Sequence, residues 1–142
     1  MKPAQIDINV LIGAGFAHVA TWRHDPAGSV SLLGKFPSSP GLYLFVEGEV
    51  IQYVGSASDG LHRRMRNYLR RQNSRNSPRP VHKSLSDALM RGAAIAVFVK
   101  VVVDSEQCEW NGLPVDILLG VEAAIIKKIN PSWNRRGRPP LV

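Results

Sequence analysis

Two tyrosines, each close to a glycine on a short apolar run, are the first residues of this chain whose type and spacing suggest chemistry. They sit in Gly41-Leu42-Tyr43 and Gln52-Tyr53-Val54-Gly55. The intervening Leu44-Phe45-Val46-Glu47-Gly48-Glu49-Val50-Ile51 predicts a hairpin with two apolar arms and a Glu-Gly-Glu turn. Antiparallel pairing of the arms would bring the two phenols near each other on the sheet. Just downstream, Leu61 to Pro80 holds seven arginines and no acid. Two phenols ahead of an arginine-rich segment suggest a site that handles phosphate. Taken alone, each tyrosine motif is weak, because most Gly-Leu-Tyr triplets are ordinary strand residues.

Glu122 is the second candidate. In a helix its neighbours at three and four residues on either side are Leu118, Leu119, Ile125 and Ile126. The carboxylate is therefore expected to project from the face that meets the core. A buried carboxylate has to be neutralised, paired or bound to metal. A structural ion pair with a buried arginine would satisfy that demand. So would a single-carboxylate Mg²⁺ site completed by water and phosphate oxygens. Arg64 shares its helical spacing with Gly60, Leu61, Asn67 and Tyr68, which sets it nearer the sheet than Arg63 or Arg66.

The elements that must position these residues belong to a chain of 142 residues, 44% of them apolar. That fits one domain with a core of its own. No run reaches the roughly 18 apolar residues of a membrane span, and Met1 to Val10 lacks the apolar stretch of a secretory signal. The single cysteine, Cys108, allows no internal disulfide and fits a reducing compartment, the cytoplasm. A formal net charge of +7 favours a polyanionic partner, nucleic acid first and an anionic membrane surface second. The basic residues cluster: Arg63, Arg64, Arg66, Arg70, Arg71, Arg75 and Arg79, then Lys127, Lys128, Arg135, Arg136 and Arg138. The planar fork of arginine suits bidentate phosphate contacts. A solvated basic helix face is the plainer reading of any one of them.

Along the chain, a short helix is expected either around Ile6 to Ile12 or from Phe16 to Trp22, and Asp25-Pro26-Ala27-Gly28 signals a turn. Strands are expected at 41–47 and 50–55. Asp59 is the expected N-cap of an amphipathic helix over 60–72, where Leu61, Met65, Tyr68 and Leu69 recur at helical spacing. A second helix is predicted from His82 to Arg91. Ala94 to Val103 predicts a buried central strand, and Asp104 to Gly112 a polar connection. The longest helix is predicted from Leu113 to Ile129, with Pro114 in its first turn and Asn130-Pro131 as its stop.

In this order, Gly41-Leu42-Tyr43, Tyr53-Val54-Gly55, an arginine about ten residues on, a helix-borne Glu122 and then Asn134 resemble the GIY-YIG nuclease superfamily. The resemblance is strongest to the N-terminal nuclease domain of the bacterial UvrC repair protein. Pro40-Gly41-Leu42-Tyr43 and Leu61-His62-Arg63-Arg64-Met65 carry it, as does the closing stretch with Ile126-Lys127-Lys128 and Asn130-Pro131. Aligning Leu61 and Met65 selects Arg64 rather than Arg63. Leu42 stands where the family name has isoleucine, Tyr68 where many homing and restriction members have histidine, and Ser56 where some relatives have lysine. His62 and His82 receive no role from the pattern.

The resemblance implies an α+β fold with a small, mainly antiparallel three-stranded central sheet flanked by helices. It implies metal-dependent hydrolysis of DNA phosphodiester bonds with one Mg²⁺ or Mn²⁺ ion per site. Tyr53 would act as general base, with Tyr43 beside it. A phenol ordinarily titrates near 10, so that role needs a nearby cation, which Arg64 and the metal would supply. Arg64 would stabilise the transition state, Glu122 would hold the metal, and Asn134 would orient the site. Gly55, Arg63, Arg66, Tyr68, Arg70, Arg71, Arg75 and Arg79 would contact DNA, the arginines through its backbone. The expected organisation is an extension over 1–36, a nuclease domain over 37–136 and a basic, proline-rich tail over 137–142. Two other readings stay open: a nucleic-acid-binding module without cleavage, and a structural subunit in which Glu122 and Arg64 form a buried ion pair.

Overall fold

The computed structural model describes residues 6–74, 79–103 and 108–135. In chain order the elements are α1 (Ile8–Gly13), β1 (Ala17–His24), β2 (Val30–Gly34), β3 (Gly41–Glu47), β4 (Val50–Ala57), α2 (Leu61–Gln72), α3 (Pro80–Met90), β5 (Ile95–Val101), β6 (Cys108–Trp110), β7 (Leu113–Val115), α4 (Ile117–Ile129) and α5 (Ser132–Arg135). Five strands form one sheet in the order β2-β1-β5-β3-β4, and every neighbouring pair in it is antiparallel. The expected sheet had three strands; β3, β4 and β5 are joined by β1 and β2.

The two extra strands come from residues 17–34, where no strand is expected from the sequence. Phe16 to Trp22, one of two helix options, is largely strand, because its buried positions Ala20 and Trp22 follow a period of two. The turn at 25–28 is present, with Gly28 N–H donating to the Asp25 carbonyl at 2.9 Å, and it joins β1 to β2. The expected helix at the start of the chain is α1, capped by the Asp7 carboxylate accepting from Val10 N–H.

Alternation along β3 divides the interior into two cores. Tyr43 and Phe45 face one side, where they meet Trp22, Val97, Leu61 and Met65 of α2, Leu85 of α3 and Trp133 of α5. Leu42, Leu44 and Val46 face the other, under Leu118 and Ile125 of α4 and Leu11 of α1. On β4 the register shifts opposite Phe45 and Val46, leaving Gln52 as an extra residue. This bulge lets Ile51 and Val54, three positions apart, both face α4. Tyr53 then turns to the opposite core.

Two helix starts differ from expectation. Gly60, not Asp59, is the N-cap of α2, at φ 111°, where a side chain is disfavoured. The first N–H groups of the helix are satisfied by backbone instead: Leu61 donates to the Ser39 carbonyl and His62 to that of Pro37, both at 3.0 Å. Pro114 lies in β7 rather than in a helix, because Asn111, at φ 51°, and Gly112 turn the chain in a two-residue hairpin. α4 therefore starts at Ile117, with the Asp116 carboxylate accepting from Leu119 N–H at 3.1 Å. It ends as expected at Asn130, a left-handed C-cap. Among the described residues no helix is long and apolar enough to cross a membrane.

If β1 is an integral strand, its central side chain contributes as a core residue does. Trp22 is 0% exposed, so Trp22→Ala is expected to cost about 3–5 kcal/mol by urea unfolding. Leu33→Ala, on the exposed face of β2, should stay within about 0.5 kcal/mol of the parent.

Candidate active site

Tyr43 lies directly opposite Gly55 in the β3–β4 ladder, and Phe45 opposite Tyr53. The Tyr43 ring leans across Gly55: a Cβ built there would stand 2.5 Å from the Tyr43 hydroxyl oxygen. Only glycine leaves room for that ring. The ring centroids of Tyr43 and Tyr53 are 6.1 Å apart, so the hairpin does bring the two phenols together. A third phenol joins them from α2, with the Tyr68 and Tyr43 hydroxyls sharing a hydrogen bond of 2.8 Å.

The three tyrosines differ in environment. Tyr43 is 1% exposed and Tyr68 3%, whereas Tyr53 is half-buried. Burial pushes the Tyr43 hydroxyl far above the usual phenol range, and the Tyr53 phenol adds to the shift. The hydrogen bond from Tyr68 and the Arg64 guanidinium oppose it. Burial likewise raises Tyr68, with the Tyr43 and Tyr53 phenols contributing. Both inner phenols therefore stay protonated at neutral pH and act as hydrogen-bonding groups. Tyr53 is the phenol open to solvent.

Arg64 and Glu122 both act electrostatically on the Tyr43 hydroxyl, the guanidinium favouring its ionisation and the carboxylate opposing it. α2 and α4, on opposite faces of the sheet, thus bring opposite charges to one phenol cluster. Arg64 is half-buried while Arg63 and Arg66 are exposed, as the helical spacing implied. Glu122 is also half-buried, which corrects the expectation of a core-facing carboxylate. Leu119, one of the four apolar neighbours that suggested burial, is 53% exposed, so α4 turns less of its surface inward than its sequence pattern implies. The proposed Arg64–Glu122 ion pair is not formed; the ion pair among the described residues joins Arg91 to Glu47 at 3.4 Å.

Asn134 is buried and clasps the outer edge of β4. Its Oδ1 accepts from Val54 N–H and its Nδ2 donates to the Val54 carbonyl, both at 2.9 Å. It stands in for a missing neighbouring strand and holds the residue beside Tyr53. Its place is thus one of orientation through backbone. Among the residues expected to meet DNA, Arg63, Arg66, Arg70 and Arg79 are exposed and Arg71 half-buried. Gly55 and Tyr68 are buried; Gly55 lies against the Tyr43 ring, and Tyr68 packs among Tyr43, Phe45, Trp22 and His82. Arg75 lies outside the described residues.

His82, left without a role by the sequence, is buried with its ring 4.7 Å from that of Tyr68. Burial, with Arg71 and Arg79 nearby, lowers its pKa to about 4. It backs Tyr68 as a neutral ring. No sequence signal separated it from a surface histidine, because its burial comes from packing between helices.

Among the described residues no group of three or more His, Cys, Asp or Glu side chains converges. That is unsuited to zinc, which takes three or four protein ligands. A single half-buried carboxylate with no ion-pair partner among the described residues fits Mg²⁺, which keeps most of its water and needs one or two carboxylates. Glu122 is the residue that would hold it.

The fold is α+β: one antiparallel sheet with two core faces, three clustered tyrosines, and an arginine and a glutamate brought in by separate helices. No protein-family model matches the chain, and no curated protein does. Solved structures do. EndoII of bacteriophage T4 superposes with a TM-score of 0.68 at 19% identity, over 89% of this chain and 97% of that one. The restriction endonuclease HPY188I in complex with product DNA superposes with a TM-score of 0.53 at 13% identity, over 96% and 85%. The GIY-YIG N-terminal endonuclease domain of UvrC from Thermotoga maritima, bound to its catalytic magnesium, aligns at 25% identity over 70% of this chain and 86% of that one. Its TM-score of 0.46 is too low for positions to be carried across. The chain shares its overall fold with the first two of these structures.

Two outcomes follow from this packing. Gly55→Ala forces a methyl group into the Tyr43 ring and is expected to cost about 1–3 kcal/mol; pairing it with Tyr43→Leu should recover part of that loss in denaturant titrations. His82 has a folded pKa below its unfolded value, so the unfolded chain binds its proton first as pH falls. Stability is expected to drop between pH 6.5 and about 4, by roughly 1–3 kcal/mol. His82→Gln should flatten that part of the stability–pH curve.

Proposed function

We propose that this protein is a metal-dependent DNA endonuclease that hydrolyses phosphodiester bonds. The site is carried by residues 37–136. The observation behind the reading is the convergence of a solvent-reached Tyr53, Arg64 and an unpaired Glu122 around two buried phenols. The exposed arginines of α2 beside that cluster supply phosphate contacts. Sharing a fold with a restriction endonuclease that binds its product DNA supports the same reading.

In this mechanism Tyr53 works in its phenolate form, taking one proton of the attacking water and becoming the neutral phenol. Tyr43 and Tyr68, kept protonated by burial, hold the hydroxyl network behind it. The Arg64 guanidinium meets the charge that builds on the phosphate as water attacks. Glu122, with phosphate oxygens and water, would hold one Mg²⁺ or Mn²⁺, whose chemistry is Lewis-acid stabilisation of the leaving oxygen. Asn134 keeps β4, and so Tyr53, in place. A binding module without cleavage would need the basic surface alone and has no use for a free carboxylate beside the tyrosines.

Nicking of supercoiled plasmid tests this. Wild type with Mg²⁺ or Mn²⁺ should nick, and chelation should stop it. Tyr53→Phe should fall by about 10²-fold or more, the usual contribution of a general base. Arg64→Ala should fall by about 10²–10³-fold. Glu122→Gln should lose metal-dependent cleavage while retaining DNA binding. A wild-type protein that binds DNA yet nicks none of its forms would leave the binding module as the correct reading.

A further inference from the structure

A groove of about 440 Å³ lies between β2, the β2–β3 connection and α2, within the size range of small-ligand pockets. Leu32, Phe36 and Leu69 give it an apolar lining, and Lys35, His62 and Arg66 a basic one. No acidic residue lines it. His62, Arg66 and Leu69 recur at helical spacing along one flank of α2, and Arg64 belongs to another. A second groove shares His62, Arg66 and Leu69 and runs on to Arg63, Asn67 and Arg70. The apolar groove therefore opens into the basic face of the helix.

A surface that only tracked a phosphate backbone would need the cations and nothing else. An apolar floor with an aromatic ring, walled by cations, matches a different shape: a flat base attached to a phosphate. We propose that this groove receives one unpaired base of the bound DNA strand against Phe36, with Lys35 and Arg66 on its flanking phosphates. The proposal rests on the nuclease reading above and deepens it, because such a groove favours DNA with an unpaired or extruded base over a perfect duplex.

The test is equilibrium binding of the full chain in the presence of chelator, so that no cleavage occurs. Three labelled probes are compared: a fully paired duplex, the same duplex with one bulged adenine, and that duplex with an abasic residue in the bulge. The bulged adenine should bind about tenfold tighter than the other two, the effect of one base on an aromatic ring. Phe36→Ala should remove the difference. Phe36→Leu, which keeps the apolar volume and protects the fold, should remove most of it, with circular dichroism confirming that both variants are folded. Arg66→Ala should weaken all three probes alike and lower the salt dependence by about one phosphate. Equal binding of the adenine and abasic bulges, or a preference that survives Phe36→Ala, overturns the base groove and leaves the nuclease reading standing. Failure to bind any of the three DNAs overturns both.

Discussion

The arrangement depends on one close approach, the ring of Tyr43 lying across Gly55 on the neighbouring strand. Any side chain at residue 55 would collide with the ring, so the glycine is what allows a large phenol to sit under an edge strand. Once there, the Tyr43 hydroxyl meets that of Tyr68 and ties β3 to α2. Arg64 is one turn before Tyr68 on that helix, so the same hydrogen bond sets where the guanidinium enters the cluster. A buried phenol without a partner would be costly; here two buried phenols satisfy each other. Burial raises the pKa values of both, leaving the half-exposed Tyr53 as the distinct member of the three.

The second constraint is the outer edge of β4. An unpaired strand edge invites association with other chains, and here the chain closes it upon itself. After α4, the left-handed Asn130 turns the backbone, Trp133 enters the opposite core, and Asn134 bonds both polar groups of Val54. The other edge is treated alike: Asn73, just past α2, accepts from Val30 N–H and donates to its carbonyl. Each edge strand thus carries an asparagine amide in place of a neighbour. At β4 that closure also holds α4 beside the site, so the same residues that block the edge fix where Glu122 stands.

Legibility followed the range of the interactions involved. The β3–β4 hairpin, α2, β5 and the end of α4 were readable because alternation, helical spacing and a Gly, Asn or Pro signal agree within each segment. β1 was ambiguous because Phe16 to Trp22 mixes small and aromatic residues, and its partners β2 and β5 decide it. Asp59 looked like a cap, yet carbonyls of residues 37 and 39 reach the helix first. Pro114 looked like a helix start, yet the Asn111-Gly112 turn captures it for a hairpin. Glu122 looked buried from its four apolar neighbours, but a helix laid across a sheet edge covers only part of the face that its pattern suggests.

By itself, then, the sequence determined the identity and order of the reactive groups: two tyrosine–glycine motifs, an arginine on the inner side of a basic helix, a glutamate among apolar neighbours and an asparagine just past its helix. It did so because residue type and short-range periodicity are local properties. Tertiary structure alone decided that Gly55 yields space to Tyr43, that Tyr68 and His82 stand behind it, and that Glu122 is unpaired and reached by solvent. It also decided that a groove floored by Phe36 opens beside the arginines. These are contacts between segments far apart in the chain, set by which faces the five-stranded sheet can cover, and no local pattern encodes them.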